Sequence, residues 1–143
     1  LIVLSKKNSE TQNEKITMRQ QIDPPGTPPL IGPFSPAILA QGRTLYVSGQ
    51  GPQDPVTKGF RLGNIEEETR LTLDNVTRLL HGAGADWSHV VKVGVYLTRM
   101  EDFAAFNRVY SEYLVTPSPA RTTIICSLLA GISVEVDCIA VID

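Results

Sequence analysis

Val91-Lys92-Val93-Gly94-Val95-Tyr96-Leu97 sets Val91, Val93, Val95 and Leu97 in alternation with Lys92, Gly94 and Tyr96. Successive side chains on a strand point to opposite faces, so this run predicts a strand with one strongly apolar face. The segment before it keeps a different period. Ile65, Thr69, Leu73, Val76, Leu80 and Ala83 recur at spacings of three and four, which makes one face of a helix. Asn64 is placed to cap the helix start, and Glu66, Glu67 and Glu68 fill the first turn, where the helix dipole favours acids. Gly82 and Gly84 stop it.

Working outward, the two periods keep alternating. Asp102 stands near the start of a second helix with Phe103, Phe106, Val109, Tyr110 and Tyr113 on its apolar side, and Thr116-Pro117-Ser118-Pro119 breaks it. Two strands close the chain, near Ala120–Ser127 and Ser133–Ile142. Upstream, Thr44-Leu45-Tyr46-Val47-Ser48 is a short β-prone run stopped by Gly49 and Gly51-Pro52. The coarse order β-β-α-β-α-β-β predicts an α+β or α/β sandwich, with both helices packed on one face of a mixed sheet.

The first 28 residues read differently. Ser5 to Lys15 is almost all polar, and Pro24, Pro25, Pro28 and Pro29 then crowd a short stretch. The expectation is a polar, Pro-rich N-terminal extension over 1–28 and one folded domain over 29–143. Met18 would be a natural start, so residues 1–17 are expected to be leader or added sequence.

A chain of 143 residues is the size of one domain. Thirteen basic against fifteen acidic side chains give −2, which excludes a strongly basic nucleic-acid binder. With 42% hydrophobic and 20% charged residues, a disordered acidic chain is excluded as well. No apolar run approaches the ~20 residues that span a bilayer. Cys126 and Cys138 are too few for a disulfide framework and lack the spacing of a zinc site. Two buried thiols in a reducing, cytoplasmic compartment are expected, with the mitochondrion as the alternative.

The strongest pair of polar residues lies on the last two strands. Arg121, Thr123 and Ile125 share one face of the first, and Glu135 and Asp137 share one face of the second. An Arg at a strand mouth can grip a carboxylate through two hydrogen bonds, and a carboxylate across from it could orient or deprotonate a water. The competing reading is an Arg121–Glu135 bridge that only ties the strands together. Ser48-Gly49-Gln50-Gly51-Pro52 reads as a small-residue loop, without the Lys-Ser/Thr ending of a phosphate-binding loop or the nearby helix of a dinucleotide fingerprint. His81 and His89 could serve a ribonuclease, but read more simply as a helix C-terminal cation and a loop residue. Trp87 is the single Trp, and no aromatic row is interleaved with Lys or Arg. Asn107 sits off the main apolar stripe of its helix and reads as a locally bonded amide unless a pocket lies against it.

Taken in order, Gly32-Pro33-Phe34-Ser35-Pro36-Ala37, Val47-Ser48-Gly49-Gln50, Asp74-Asn75-Val76, Val91-Lys92, Asp102-Phe103-Ala104-Ala105-Phe106-Asn107, Pro119-Ala120-Arg121 and Val134-Glu135-Val136-Asp137-Cys138-Ile139-Ala140 form a specific set. Over roughly residues 30–142 the chain resembles the Rid family, the reactive imine/enamine deaminases formerly called YjgF proteins. The resemblance implies an α+β chorismate-mutase-like fold and a homotrimer with active sites in the clefts between subunits. It implies hydrolysis of short 2-imino acids, such as 2-iminobutanoate and 2-iminopropanoate, to 2-keto acids and ammonia, with no metal or organic cofactor; the charge balance and the lack of a spanning apolar run set the expectation of no nucleic-acid and no membrane partner. Arg121 matches the family's carboxylate-binding Arg, and Glu135 its water-positioning acid. Ser48, Gly49 and Asn107 match pocket-lining positions. Phe34 stands where many members have Tyr, and Thr123 where many have Cys, which bears on substrate more than on reaction class. The alternatives are a related enzyme for another imine or enamine, an endoribonuclease-type translation inhibitor, and a non-catalytic trimer that binds a small carboxylate.

Overall fold

The computed structural model describes residues 19–143; the expected leader over residues 1–17 lies outside them. The helix read from the three-four spacing runs from Ile65 to Gly82 (α1). Asn64 caps it, accepting from Glu67 N while the Glu67 carboxylate accepts from Asn64 N, a reciprocal arrangement that fixes the first turn. Leu73, Val76 and Leu80 form its buried face.

The strand read from the alternation spans Val90–Leu97 (β4). Val93, Val95 and Leu97 are buried beneath the helices, while Gly94 and Tyr96 face the other way. The second helix proper covers Phe103–Ser111 (α2) and follows a short 3-10 turn over Met100–Asp102. Tyr113 therefore falls beyond the helix, although it still packs against the core and its hydroxyl donates to Asp74.

The remaining elements are Arg19–Ile22 (β1), Ala37–Ala40 (β2), Arg43–Gln50 (β3), Ala120–Ile125 (β5) and Val134–Ile142 (β6). β3, β6, β4 and β5 lie side by side in that order, with β4–β5 parallel and the other pairs antiparallel. The sheet is mixed, and α1 and α2 pack together on one of its faces, as the pattern predicts. The core between the layers joins Leu73, Val76 and Leu80 to Phe106, Val109 and Tyr110, and to Val134, Val136 and Cys138 from the sheet.

One element lies inside the stretch expected to be an extension. Arg19–Ile22 pairs with β2 as a separate two-stranded ribbon. The Arg19 guanidinium is buried and donates to the carbonyls of Val90, Trp87 and Val115. The folded unit thus reaches back at least to Arg19 rather than beginning at residue 29. Arg-Gln-Gln-Ile carries no alternation; pairing with β2, the buried Arg19 cation and a hydrogen bond from Ser35 Oγ to Gln21 Oε1 at 3.1 Å hold it. β3 also runs on to Gln50, so Ser48 and Gly49 belong to the strand and not to a loop after it. They form a bulge, because the pairing with β6 slips between Val47 and Gln50.

Candidate active site

Arg121 stands on β5 opposite Val93 of β4, and Glu135 stands on β6 opposite Tyr96 of the same strand. Val93 and Tyr96 are three residues apart, so their side chains leave opposite faces of the sheet. Arg121 is therefore on the helix-covered face and Glu135 on the open face, with β4 between their strands. The bridge weighed as the competing reading does not form, and within one chain the two groups share no pocket.

On the covered face, Arg121 is 8% exposed. Its guanidinium lies over four aromatic rings, Phe34 and Tyr110 at 5.2 Å, Phe103 at 5.7 Å and Phe106 at 5.8 Å from the ring centres. Cation–π attraction offsets part of the lost hydration. Burial still pushes the guanidinium below its ordinary range, only partly opposed by Tyr110. Nη1 donates to Asn107 Oδ1 at 2.7 Å, so the amide of α2 is the pocket residue that holds the fork. Among the described residues no carboxylate bridges Arg121. Of five guanidinium donors, one is satisfied by the described residues. Gly32 makes room for the rest: a Cβ there would stand 2.8 Å from Nη2.

Arg121 forms the floor of a cavity of about 230 Å³ lined by Ile31, Phe34, Met100, Phe103, Thr123 and Ile125. Arg121, Thr123 and Ile125 share one face, as the alternation predicts. Thr123 Oγ1 is buried without a hydrogen-bond partner among the described residues, which leaves a second unfilled polar group beside the first. Phe34 offers only its ring.

On the open face, Glu135 lines a second cavity of about 290 Å³ with Gly49, Gln50, Gly51, Gln53, Phe60, Leu129 and Ile132. A Cβ on Gly49 would stand 2.6 Å from Glu135 Oε1, so the bulged strand lies directly against the carboxylate. Glu135 has no hydrogen-bond partner among the described residues, whereas Asp137, two positions on, accepts from the Tyr96 hydroxyl at 2.8 Å and Gly94 N at 3.2 Å. That bond to Asp137 raises the Tyr96 phenol above its usual value. Asp137 is spent on the sheet, and Glu135 is left free to act on something else. Ser48 is exposed in the bulge, and its carbonyl accepts from Gln50 Nε2 at 3.0 Å.

The other candidates keep local roles. His89 Nδ1 lies 3.2 Å from Asp86 Oδ1 and closes a short turn. His81 is exposed in the last turn of α1, where a cation suits the dipole. Trp87 donates from Nε1 to Thr77 and packs edge-on against Tyr110 and Tyr113. Cys138 is buried and its thiol is pushed up to about 12 by desolvation, while Cys126 is half-buried. Among the described residues no cluster of His, Cys, Asp or Glu could hold a metal ion, and no helix is long and apolar enough to cross a membrane. Sequence reasoning missed the ring cage. The spacing of Phe103, Phe106 and Tyr110 marks a core stripe without saying that a cation lies on it.

Residues 26–142 match the family described as Endoribonuclease L-PSP. A RutC family protein of Pyrococcus horikoshii is 40% identical over 86% of this chain and 98% of its own length. The human 2-iminobutanoate/2-iminopropanoate deaminase is 34% identical over 87% of this chain and 90% of its own. The crystal structure of RidA from an Antarctic Psychrobacter superposes with a TM-score of 0.67 at 34% identity, covering 86% of this chain and 99% of that one.

Proposed function

The chain belongs to the Endoribonuclease L-PSP family, whose members also carry the names YjgF, Rid and RutC, and from that premise we propose that it hydrolyses short reactive 2-imino and 2-enamino acids to 2-keto acids and ammonia. The observation that carries this reading is Arg121: a buried guanidinium with, among the described residues, one donor spent and no carboxylate of its own. Such a group is costly to bury unless a ligand supplies the missing anion. A 2-imino acid supplies it. The deaminase relatives, human included, are named for 2-iminobutanoate and 2-iminopropanoate.

Arg121 takes the substrate carboxylate in a two-pronged grip, held in register by Asn107. Thr123 Oγ1 and the Phe34 ring bound the space beside it. Glu135 orients a water and accepts its proton as the oxygen adds to the C=N carbon. The nitrogen, protonated in the bound imine, becomes the amine of a carbinolamine; Glu135 passes its proton to that amine, the C–N bond breaks as ammonia leaves, and the hydroxyl proton returns to Glu135 as C=O forms. Water-excluding rings around Arg121 strengthen its hold on the anion.

Because Arg121 and Glu135 lie on opposite faces, one chain cannot apply both to one molecule. In this reading the Arg121 cavity of one copy meets the Glu135 face of another, and three copies close a ring with three sites. The open face has the character of an interface, with Tyr46 75% exposed and Ile124 45% exposed. The free thiols Cys126 and Cys138 fit a reducing compartment, and the cytoplasm is proposed. The family description also raises RNA cleavage, but the charge of −2 and the local roles of His81 and His89 give it no support.

The test is hydrolysis of freshly generated 2-iminobutanoate, trapped with semicarbazide, by wild type and Arg121→Ala side by side. Wild type is expected to accelerate keto-acid formation, and the variant to lose a hundred-fold or more of kcat/KM, the factor that corresponds to about 3 kcal/mol for one partner of a desolvated charge pair. Equal activity of the two would sink the role of Arg121. RNA cleavage that survived in the variant and titrated with a histidine would favour the nuclease instead.

A further inference from the structure

The three acids in the first turns of α1 have separate fates. Glu66 pairs with Arg108, and Glu67 closes the capping box. Glu68 turns inward and is 2% exposed. Among the described residues no cation lies within ion-pair distance of it. Its oxygens instead accept from Ser133 N at 2.7 Å, Gly63 N at 3.1 Å and Ser133 Oγ at 3.5 Å. The amides and the N-terminal end of the helix dipole neutralise the charge. An apolar side chain of similar size would leave the Ser133 and Gly63 amides without this acceptor.

What the carboxylate holds is specific. Ser133 enters β6 two residues before Glu135. Gly63 ends the loop that carries Phe60. Phe60 and Ile132 both line the cavity that contains Glu135. One buried carboxylate therefore ties two segments that line the Glu135 cavity to the first turn of α1. We infer that Glu68 is a positioning residue that fixes the Glu135 carboxylate for attack on the substrate by clamping Gly63 and Ser133. The inference rests on the hydrolytic reading above for its catalytic consequence, and on the geometry alone for the clamp.

Glu68→Gln keeps the shape but replaces one acceptor oxygen with a donor, so one of the two backbone N–H groups loses its partner. In this variant kcat on 2-iminobutanoate is expected to fall about ten-fold or more, the cost of a slightly misplaced group. KM is expected to hold, because the carboxylate grip belongs to Arg121, which is held by Asn107 and which Glu68 does not touch. Glu68→Gln combined with Glu135→Gln should be no slower than Glu135→Gln alone, since one residue acts through the other. Amide exchange in Glu68→Gln should quicken at Gly63 or Ser133 while Val136–Ala140 keeps its protection.

Additive losses, or a KM that rises with kcat unchanged, would overturn the positioning role. Unchanged exchange at both amides would overturn the clamp. Exchange needs no turnover, so a wild type inactive on every imine would remove the hydrolytic reading while the clamp is still decided on its own. Should Glu68→Gln fail to fold, Ser133→Pro removes the shorter of the two backbone bonds and is read by the same kcat, KM and exchange measurements.

Discussion

The two faces of the sheet hold their charged groups in opposite ways. On the covered face, Arg121 is gripped: four rings lie against it, Asn107 fixes the fork, and it is left 8% exposed at the floor of its cavity. On the open face, Glu135 is bare, with one bulged strand against its carboxylate and no hydrogen bond to another side chain among the described residues. Each face nevertheless puts a glycine against its charged atom, Gly32 against Arg121 and Gly49 against Glu135. In the proposed reading the contrast separates binding from chemistry: a preorganised cation would fix the substrate carboxylate, and an unspent anion would be available to a water.

The hardest blow to that division is a mixing experiment. Arg121→Ala and Glu135→Gln should each be nearly inactive alone. Unfolded together and refolded as mixed oligomers, they should recover activity, because a site built between copies can draw an intact Arg121 from one chain and an intact Glu135 from the other. Random mixing in a cyclic assembly gives about a quarter of the sites both groups, a recovery of many-fold over either parent. No recovery, with mixed oligomers verified, would mean that one chain supplies both groups and that the two faces do not meet across copies.

The matched glycines sharpen the same contrast at smaller scale. Gly32→Ala pushes a methyl against Nη2 of Arg121, and Gly49→Ala pushes one against Oε1 of Glu135. Both contacts are with the far ends of side chains, so the side chain should give before the backbone does. Gly32→Ala is expected to raise KM, and Gly49→Ala to lower kcat, each by ten-fold or more for a displacement approaching 1 Å. Steady-state kinetics of the pair decide it; the same parameter moving in both variants would erase the distinction between the faces.

How much of this was legible follows from what is local and what is not. The α1 capping box, the β4 alternation and the shared face of Arg121, Thr123 and Ile125 follow from spacing along the chain, and the structure has each of them. β1 was not legible because Arg19-Gln20-Gln21-Ile22 has no apolar period; its order comes from pairing with β2 and from carbonyls of Val90, Trp87 and Val115 far along the sequence. The separation of Arg121 from Glu135 was not legible either. It depends on β4 inserting between the last two strands, and strand order is a property of the whole sheet. Asn107 shows the limit most sharply. Its place off the apolar stripe marks it as an amide awaiting a partner, but only the fold brings Arg121 within reach.

Asn107 therefore offers a smaller test. Asn107→Ala leaves the guanidinium without its one side-chain acceptor and free to swing over the rings. An unmet hydrogen bond to a charged group costs about 1.5–3 kcal/mol, which corresponds to a rise of ten-fold or more in KM for the imino acid. Asn107→Asp should behave differently, because a carboxylate there would pair with Arg121 and compete with the substrate's own. Inhibition constants for a stable 2-keto acid, measured on both variants, separate the two effects.

The smallest expected effect concerns the wall of the Arg121 cavity. Phe34 lies 5.2 Å from the guanidinium and contributes a ring with no hydroxyl. Thr123 Oγ1, in the same cavity, has no hydrogen-bond partner among the described residues. Phe34→Tyr adds a phenol to a space that already contains an unsatisfied hydroxyl and a cation with spare donors. A new hydrogen bond to the bound carboxylate is worth about 1 kcal/mol, a few-fold in KM. The direction of the change carries the information. If KM falls for 2-iminopropanoate and 2-iminobutanoate alike, the phenol serves the common carboxylate and Phe34 is a weakened anion site. If KM falls for the smaller imine and rises for the larger, the hydroxyl takes space from the substrate side chain. In that case Phe34 sets the size of substrate that the covered face admits, and specificity as well as affinity belongs to the Arg121 half of the site.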